Sequence, residues 1–348
     1  MAFLEQEQLD TLVIERMVFH VVGPEEGELV LLEEIEPGSF SEFFLDRLKG
    51  ANTGIIFDFL DASAVLTSIH LIEADPQSFV RKSKKLAALF KAQHTGAAVK
   101  GVFFLFMLRA AQDRFYALLK YDHQAVLSYR IEDRATGHYP LLQQIQDTFV
   151  KSPDALQKSA IVRLNENGGE LCVKDRISPK EITHYFRGFL GAQRRHTSAT
   201  LTEKLAEITQ KVAKDHSSEL SDDARKNLRQ RLYEAVQTQD GFDPENSDPF
   251  LTAVFGPLPE NSRIRQAFDR KLRSSNLEGE AFDFDREALK RPSKRRIVTT
   301  EGIQVIWDRQ YEENVRLQAL AGGRTQITIT TGGVKENDDF SESNSRRR

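Results

Sequence analysis

The chain has 348 residues and a net charge of −4, with 40% hydrophobic and 29% charged residues and 23 phenylalanines. This length suggests two domains, or one large domain with an appendage, and the composition excludes an unfolded chain. A single cysteine, Cys172, excludes an intramolecular disulfide framework and a cysteine-rich zinc site, and it fits a reducing cytoplasm. The opening MAFLEQEQLD has no basic, then apolar, secretory pattern, and the longest apolar run, GVFFLFML, is too short to span a bilayer as a helix. The reading is therefore a soluble intracellular protein. Charge is unevenly spread: residues 1–50 carry 3 basic and 12 acidic side chains, residues 51–200 carry 20 and 14, and residues 201–348 carry 25 and 26. A basic face opposite an acidic one is thus compatible with the mild overall acidity.

In chain order, residues 12–22 and 29–35 are β-rich runs joined by Gly-Pro-Glu-Glu-Gly, which predicts a hairpin. A helix capped by Ser39 or Ser41 runs to residue 48, with Phe40, Phe43, Phe44, Leu45 and Leu48 at helical spacing. Residues 54–60 read as a short strand. Asp75-Pro76 opens a helix to about residue 93, with Phe79, Leu86, Leu89 and Phe90 facing inward and Arg81, Lys82, Lys84 and Lys85 outward. Strands at 99–108, 114–121 and 124–131 predict an antiparallel meander, the last two joined by a tight Tyr-Asp-His link. Residues 159–164 and 170–173 form another hairpin over an Asn-Glu-Asn-Gly-Gly turn.

After residue 176 the pattern turns helical. Ser178 and Glu181 predict a capping box, opening a helix that carries Ile182, Tyr185, Phe186, Phe189 and Leu190 and stops near Gly191. Helices at 200–214 and 221–237 follow, then a turn-rich linker at 240–248 and shorter helices at 250–255 and 262–274. Strands return at 296–307, interrupted at Thr300-Glu-Gly, and at 314–319 and 325–331, with Gly322-Gly323 as a turn. The fold class is α+β, with a mixed, mainly antiparallel sheet and helices over residues 1–176. A helical region with a short terminal β element covers 177–331, and a disordered polar tail covers 332–348.

No specific catalytic motif is present: there is no phosphate-binding glycine loop, no H-E-x-x-H and no G-x-S-x-G. Asp283, Asp285, Glu287 and Lys290 imitate the acid-plus-lysine group of a metal-dependent nuclease, but the same stretch reads more simply as a solvated helix start. Asp58 and Asp61 read as turn or cap residues at a strand end. The eight histidines are scattered and none has a partner at ligand spacing. Cys172 lies in a β pattern and reads as a small buried apolar residue.

The basic clusters carry more information. Lys290, Arg291, Lys294, Arg295 and Arg296 place five cations in seven residues, around Pro292. Arg194 and Arg195 follow the end of a helix, and Arg81, Lys82, Lys84 and Lys85 share an outer helix face. Arg225, Lys226, Arg229 and Arg231 and the terminal arginines add to these. Such groups neutralise phosphates without reading base sequence, although any one of them is also an ordinary solvated face. With no helix-turn-helix or zinc finger, binding through them would follow the backbone.

The acidic hairpin and helix over residues 29–48, the strand pair GVFFLFMLRAAQDRFYALLKYDH and the aromatic HYFRGFLGAQ resemble the bacterial nucleoid-associated protein family, the NdpA-like group. Ile306-Trp307-Asp308 adds to the likeness, which runs roughly from residue 10 to 330. The resemblance implies a cytoplasmic protein that localises to the nucleoid and binds DNA; joined to the absence of catalytic motifs, ligand spacings and membrane-spanning runs, it gives a non-enzymatic reading with no cofactor, no metal and no membrane association. Double-stranded DNA is the implied partner, joined by a topoisomerase or another nucleoid protein, and a second copy of the chain is a further candidate. The family supplies no catalytic set, so the eleven candidate DNA contacts (Lys290, Arg291, Lys294, Arg295, Arg296, Arg194, Arg195, Arg81, Lys82, Lys84 and Lys85) rest on charge alone. Two readings stand beside it: a metal-dependent nuclease or DNA-acting phage-defence component built on the 283–290 stretch, and an acidic adaptor in which residues 1–50 dock a basic partner.

Overall fold

The eight apolar residues that follow Lys100 have no polar interruption, a pattern that suits a strand covered on both faces. In the computed structural model, which describes residues 3–93, 99–122, 124–134, 137–148, 155–166 and 168–337, they form the centre of a large sheet. The elements in order are α1 (Gln6–Asp10), β1 (Val13–Val22), β2 (Leu29–Val30), α2 (Ser41–Gly50), β3 (Ile55–Phe59), α3 (Ala64–Ala74), α4 (Phe79–Ala92), β4 (Gly101–Ala110) and β5 (Asp113–Asp122). Then come β6 (Gln124–Arg134), β7 (Gly137–Thr148), β8 (Leu156–Asn165), β9 (Gly168–Asp175), α5 (His184–Leu190), β10 (Ala192–Arg194), α6 (Ser198–Asp215), α7 (Asp222–Thr238) and β11 (Gly241–Phe242). The last are α8 (Asp248–Phe255), α9 (Arg263–Ser274), β12 (Phe282–Asp283), β13 (Lys294–Val298), β14 (Gln304–Asp308), β15 (Val315–Ala319) and β16 (Thr325–Ile329). The class is α+β, as the patterning predicts.

The chain divides into two compact units, residues 1–289 and 290–348, and the change of pattern near residue 176 falls inside the first. That unit is built on an eight-stranded antiparallel sheet in the order β10-β3-β9-β8-β5-β4-β1-β2. Because side chains alternate across a strand, Phe103, Leu105 and Met107 meet α3, α4 and α5 through Ile69, Phe90 and Phe189. Val102, Phe104, Phe106 and Leu108 meet Phe44 and Leu48 of α2 on the opposite face. The rings of Phe104 and Phe106 stack at 5.5 Å, and Phe44 tilts against both. Helices α6 to α9 bury a separate core around Leu205, Val212, Phe250 and Phe268.

A buried loop helps to fasten that helical core to the sheet. Glu280, fully buried, accepts the Ile56 backbone N–H at 3.0 Å and the Arg194 guanidinium at 2.6 Å. Its neighbour Gly279 lies so close to Gly54 that a Cβ there would fall 2.4 Å from the Gly54 nitrogen. A glycine is the residue type that permits this approach.

Several local expectations are corrected. The helix expected from Ser178 begins at His184, because Asp175 captures the backbone N–H of Ile177 at 3.1 Å and of Thr183 at 2.9 Å and holds the intervening residues in turns. Ser39 and Ser41 do not cap α2; residues 38–40 form a 3₁₀ turn, and the Ser41 hydroxyl donates back to the Gly38 carbonyl at 2.9 Å. The stretch from Asp283 is not helical: Phe282 and Asp283 pair with Gly241 and Phe242, and an Asp285 carboxylate oxygen accepts the Glu287 N–H at 2.9 Å. Asp58 lies within β3 rather than in a turn. The predicted meander does not form, since β5 pairs with β8 while β6 pairs with β7 in a separate hairpin. Most of the tail expected to be disordered, from residue 338 on, lies outside the described residues.

The strand expected over residues 29–35 also shortens to two residues, because the Leu32 N–H turns to a side chain. It donates to His20 Nδ1 at 3.0 Å, and His20 Nε2 meets the Ser83 hydroxyl of α4 at 3.1 Å. His20 is fully buried, and burial, reinforced by Lys84 and opposed by Glu33, pushes its pKa down to about 4. The unfolded chain therefore takes up a proton between about pH 6.5 and 4 that the folded chain refuses. Stability is full above that window and falls as pH drops through it, by about 3 kcal/mol in total. Denaturation midpoints taken from pH 7 to 4 should show this loss, and His20→Asn, whose Oδ1 can replace Nδ1 as acceptor, should flatten it.

The second unit has a different character. β13 pairs with β14 and β15 with β16, each as a two-stranded antiparallel hairpin. Of its described apolar side chains, Val315 is the one that is buried.

Candidate nucleic-acid interface

Lysines and arginines are free to meet phosphate only where the fold does not already pair them, so the eleven candidate cations divide by their partners. On α4, Arg81 and Lys85 are exposed and Lys82 is half-buried, and none has a carboxylate partner among the described residues. Lys84 differs, since its Nζ pairs with Glu33 at 2.5 Å. Lys91, one helix face along, donates to the Gly23 carbonyl at 3.2 Å. Arg16 pairs with Glu34, and Lys100 with Glu28 at 3.6 Å. The acidic segment of residues 23–36 therefore lies against cations of its own chain.

Arg194 and Arg195 are structural. Arg194 binds Glu280, the Ala281 carbonyl at 2.9 Å and the Lys180 carbonyl at 2.9 Å. Arg195 lies between Asp58, at 3.1 Å from its Nε, and Glu170, at 2.6 Å from its Nη2, and these carboxylates raise its pKa above the ordinary arginine value. Their alternation along the sheet edge aims them at acids that the sequence separates widely.

The 290–296 cluster stays largely open. Lys290 and Arg291 are exposed ahead of β13, and strand alternation then puts Lys294 and Arg296 on one exposed face. Their cross-strand neighbours are Asp308 and Ile306. None of these four cations forms an ion pair among the described residues. Arg295 points to the other face, where it pairs with Glu312 and lies 6.0 Å from the Trp307 ring. Among the described residues seven of the eleven are thus without an ion-pair partner, and four (Lys84, Arg194, Arg195 and Arg295) are tied internally.

One basic surface escaped the sequence reading. Helix α9, RIRQAFDRKLRS, carries five cations and one acid. Arg265 and Arg273 pair with Asp248 and Glu278, but Arg263, Arg270 and Lys271 have no carboxylate partner among the described residues. The density of cations along one helix was the available signal. On α7, by contrast, Arg225 and Arg231 pair with Asp222 and Asp223.

The acids of the nuclease reading are engaged elsewhere: Asp283 pairs with Lys180 at 2.6 Å, and Asp285 closes its own turn. Among the described residues no group of three or more His, Cys, Asp or Glu side chains is gathered as metal ligands would be. A cleft of about 450 Å³ beside α2 and β8 has mixed charge, with Arg47, Lys174 and Arg176 among its lining residues beside Asp46, Asp243 and Glu245. Cys172 is buried against the Ala51 and Asn52 carbonyls, and burial pushes its thiol up to about 12, which leaves it protonated and unreactive. No helix among the described residues is long and apolar enough to cross a membrane.

Comparison with known proteins adds one finding. A family model described as nucleoid-associated protein YejK matches residues 43–337. No curated protein sequence matches the chain.

Proposed function

The chain belongs to the nucleoid-associated protein YejK family, and from that membership we propose that it binds duplex DNA at the nucleoid through the phosphate backbone. The observation that carries the reading is the group Lys290, Arg291, Lys294 and Arg296, four exposed cations with no ion-pair partner among the described residues, beside a two-stranded ribbon. A ribbon of this width fits the major groove, while cations on its flank and face neutralise phosphate. Arg81, Lys82 and Lys85 on α4 form a second, independent set. The role is non-enzymatic, in chromosome organisation, with a topoisomerase or other nucleoid protein as a partner that the family likeness supports.

The adaptor reading loses ground because Glu28, Glu33 and Glu34 already pair with Lys100, Lys84 and Arg16. The nuclease reading loses ground because its acids are committed to Lys180 and to a local turn.

Fluorescence anisotropy with two unrelated duplexes between about 50 and 200 mM salt tests the proposal. Binding of equal strength to both duplexes, falling steeply with salt at a slope of about −0.9 per phosphate contact, is the expected result. No binding at the lowest salt would overturn direct DNA recognition.

A further inference from the structure

Residues 23–36, GPEEGELVLLEEIE, hold six glutamates and no basic residue, whereas α4 carries five cations and no acid. The fold lays one along the other. At one end the Glu33 carboxylate pairs with Lys84 Nζ at 2.5 Å. At the other, Lys91 Nζ donates to the Gly23 carbonyl at 3.2 Å and to the Glu25 carbonyl. Lys84 and Lys91 are seven residues apart, so they share one flank of the helix and stand about 10 Å apart along its axis. The acidic segment therefore runs down that flank in the direction opposite to α4. Its hold is shallow. β2 supplies two residues, the Leu32 N–H binds His20, the Ile35 N–H donates to the Met17 carbonyl at 3.1 Å, and no residue from 24 to 36 is buried. A segment with so few buried contacts belongs to the part of a fold that opens at low free-energy cost.

We propose that this acidic segment is a built-in brake on DNA binding, which takes the place of phosphate along the Lys84 flank of α4 and yields when a duplex competes for it. The inference rests on the reading that α4 contacts phosphate. Arg81 is a helical neighbour of both Lys84 and Lys85, at i+3 and i+4, so a phosphate seated on Arg81 and Lys85 also comes beside the Glu33 carboxylate. Like charges then oppose one another, and Lys84 can neutralise a phosphate only once Glu33 has left it. That exchange is cheap, because Glu33 and Lys84 form a surface pair. Glu25 and Glu26, at the other end, are exposed and have no ion-pair partner among the described residues, so they add negative potential over the same helix. Glu28 and Glu34 have a different task. Their pairs with Lys100 and Arg16, and the Glu25 N–H that a Glu28 carboxylate oxygen accepts at 3.0 Å, fold the segment itself.

The test is the triple variant Glu25→Gln/Glu26→Gln/Glu33→Gln, which removes charge along α4 and leaves Glu28 and Glu34 in place. In fluorescence anisotropy with the full chain, the variant should bind duplex DNA about eightfold more tightly than wild type near 0.1 M salt, with a salt slope steeper by about 0.9, the mark of one added phosphate contact. Glu203→Gln/Glu207→Gln/Asp215→Asn, on α6, removes the same number of charges and should not reproduce the change of slope. The gain should vanish when Arg81, Lys84 and Lys85 are replaced by alanine in both the wild type and the triple variant. All three replaced glutamates are exposed, so circular dichroism should match wild type. Equal binding by wild type and triple variant overturns the brake and leaves DNA recognition standing. A gain that survives without the α4 cations, or that the α6 variant matches, overturns it too, because net charge rather than this segment is then responsible. No binding by either protein at the lowest salt overturns both the brake and the DNA reading.

Discussion

Asp175→Ala is expected to destabilise the fold by about 3–5 kcal/mol, the usual result of removing one partner from a buried ion pair. The Asp175 carboxylate is fully enclosed, 2.6 Å from the equally enclosed Lys158 ammonium. It also accepts the Thr183 hydroxyl at 2.8 Å, the Thr183 N–H at 2.9 Å and the Ile177 N–H at 3.1 Å. The ammonium lies 4.8 Å from the Tyr185 ring and 5.7 Å from that of Phe186. One carboxylate therefore holds the end of β9, the turns after it and the entry to α5. With alanine there, Lys158 loses its carboxylate in a low-dielectric site, and two backbone donors lose their acceptor. Urea titration should show a large drop in midpoint. Lys174→Ala, which removes an exposed pair with Glu245 at 3.4 Å, should cost under about 1 kcal/mol.

The second large effect concerns DNA. Replacing Lys290, Arg291, Lys294 and Arg296 together with alanine should reduce the salt slope of binding by about 3.6, if each contacts one phosphate, and weaken binding about a thousandfold near 0.1 M salt. The loss should be the same for unrelated duplexes, because backbone contacts carry no base information. None of the four has an ion pair among the described residues, so the thermal midpoint should move little. Arg295 is left in place because its pairing with Glu312 and its position beside Trp307 belong to the hairpin itself. A variant with an unchanged slope would remove this ribbon from the interface and leave α4 and α9 as the surfaces to examine.

The strands at the centre were legible because their chemistry is local: an unbroken apolar run in β4, its largely apolar partner β5 and a glycine turn between β8 and β9. Helix α3 was not. Its sequence AVLTSIHLIEA has a single charge, Glu73, so no polar stripe marks a helical period, and it depends on the Ser63 cap and on packing against the sheet. The Ser178 capping box was a sound local signal overruled by Asp175, whose partner Lys158 stands on another strand. The charge clusters were visible, but their partners were not. Arg194 finds Glu280 86 residues away and Arg195 finds Asp58 137 residues away, distances at which no spacing rule operates. Sequence thus located the cations, and the fold decided which of them remain available.

The loop around Glu280 also bears on how the protein is made. Its bond to the Ile56 N–H spans 224 residues. At a synthesis rate of roughly 5–20 residues per second, β3 emerges from the ribosome tens of seconds or less before the carboxylate that will bind it. For that interval the young sheet has an unfinished border, a surface prone to pair with other nascent chains. Chaperone dependence during expression should therefore track the late arrival of residues 279–281 more closely than the order in which the sheet strands themselves are translated.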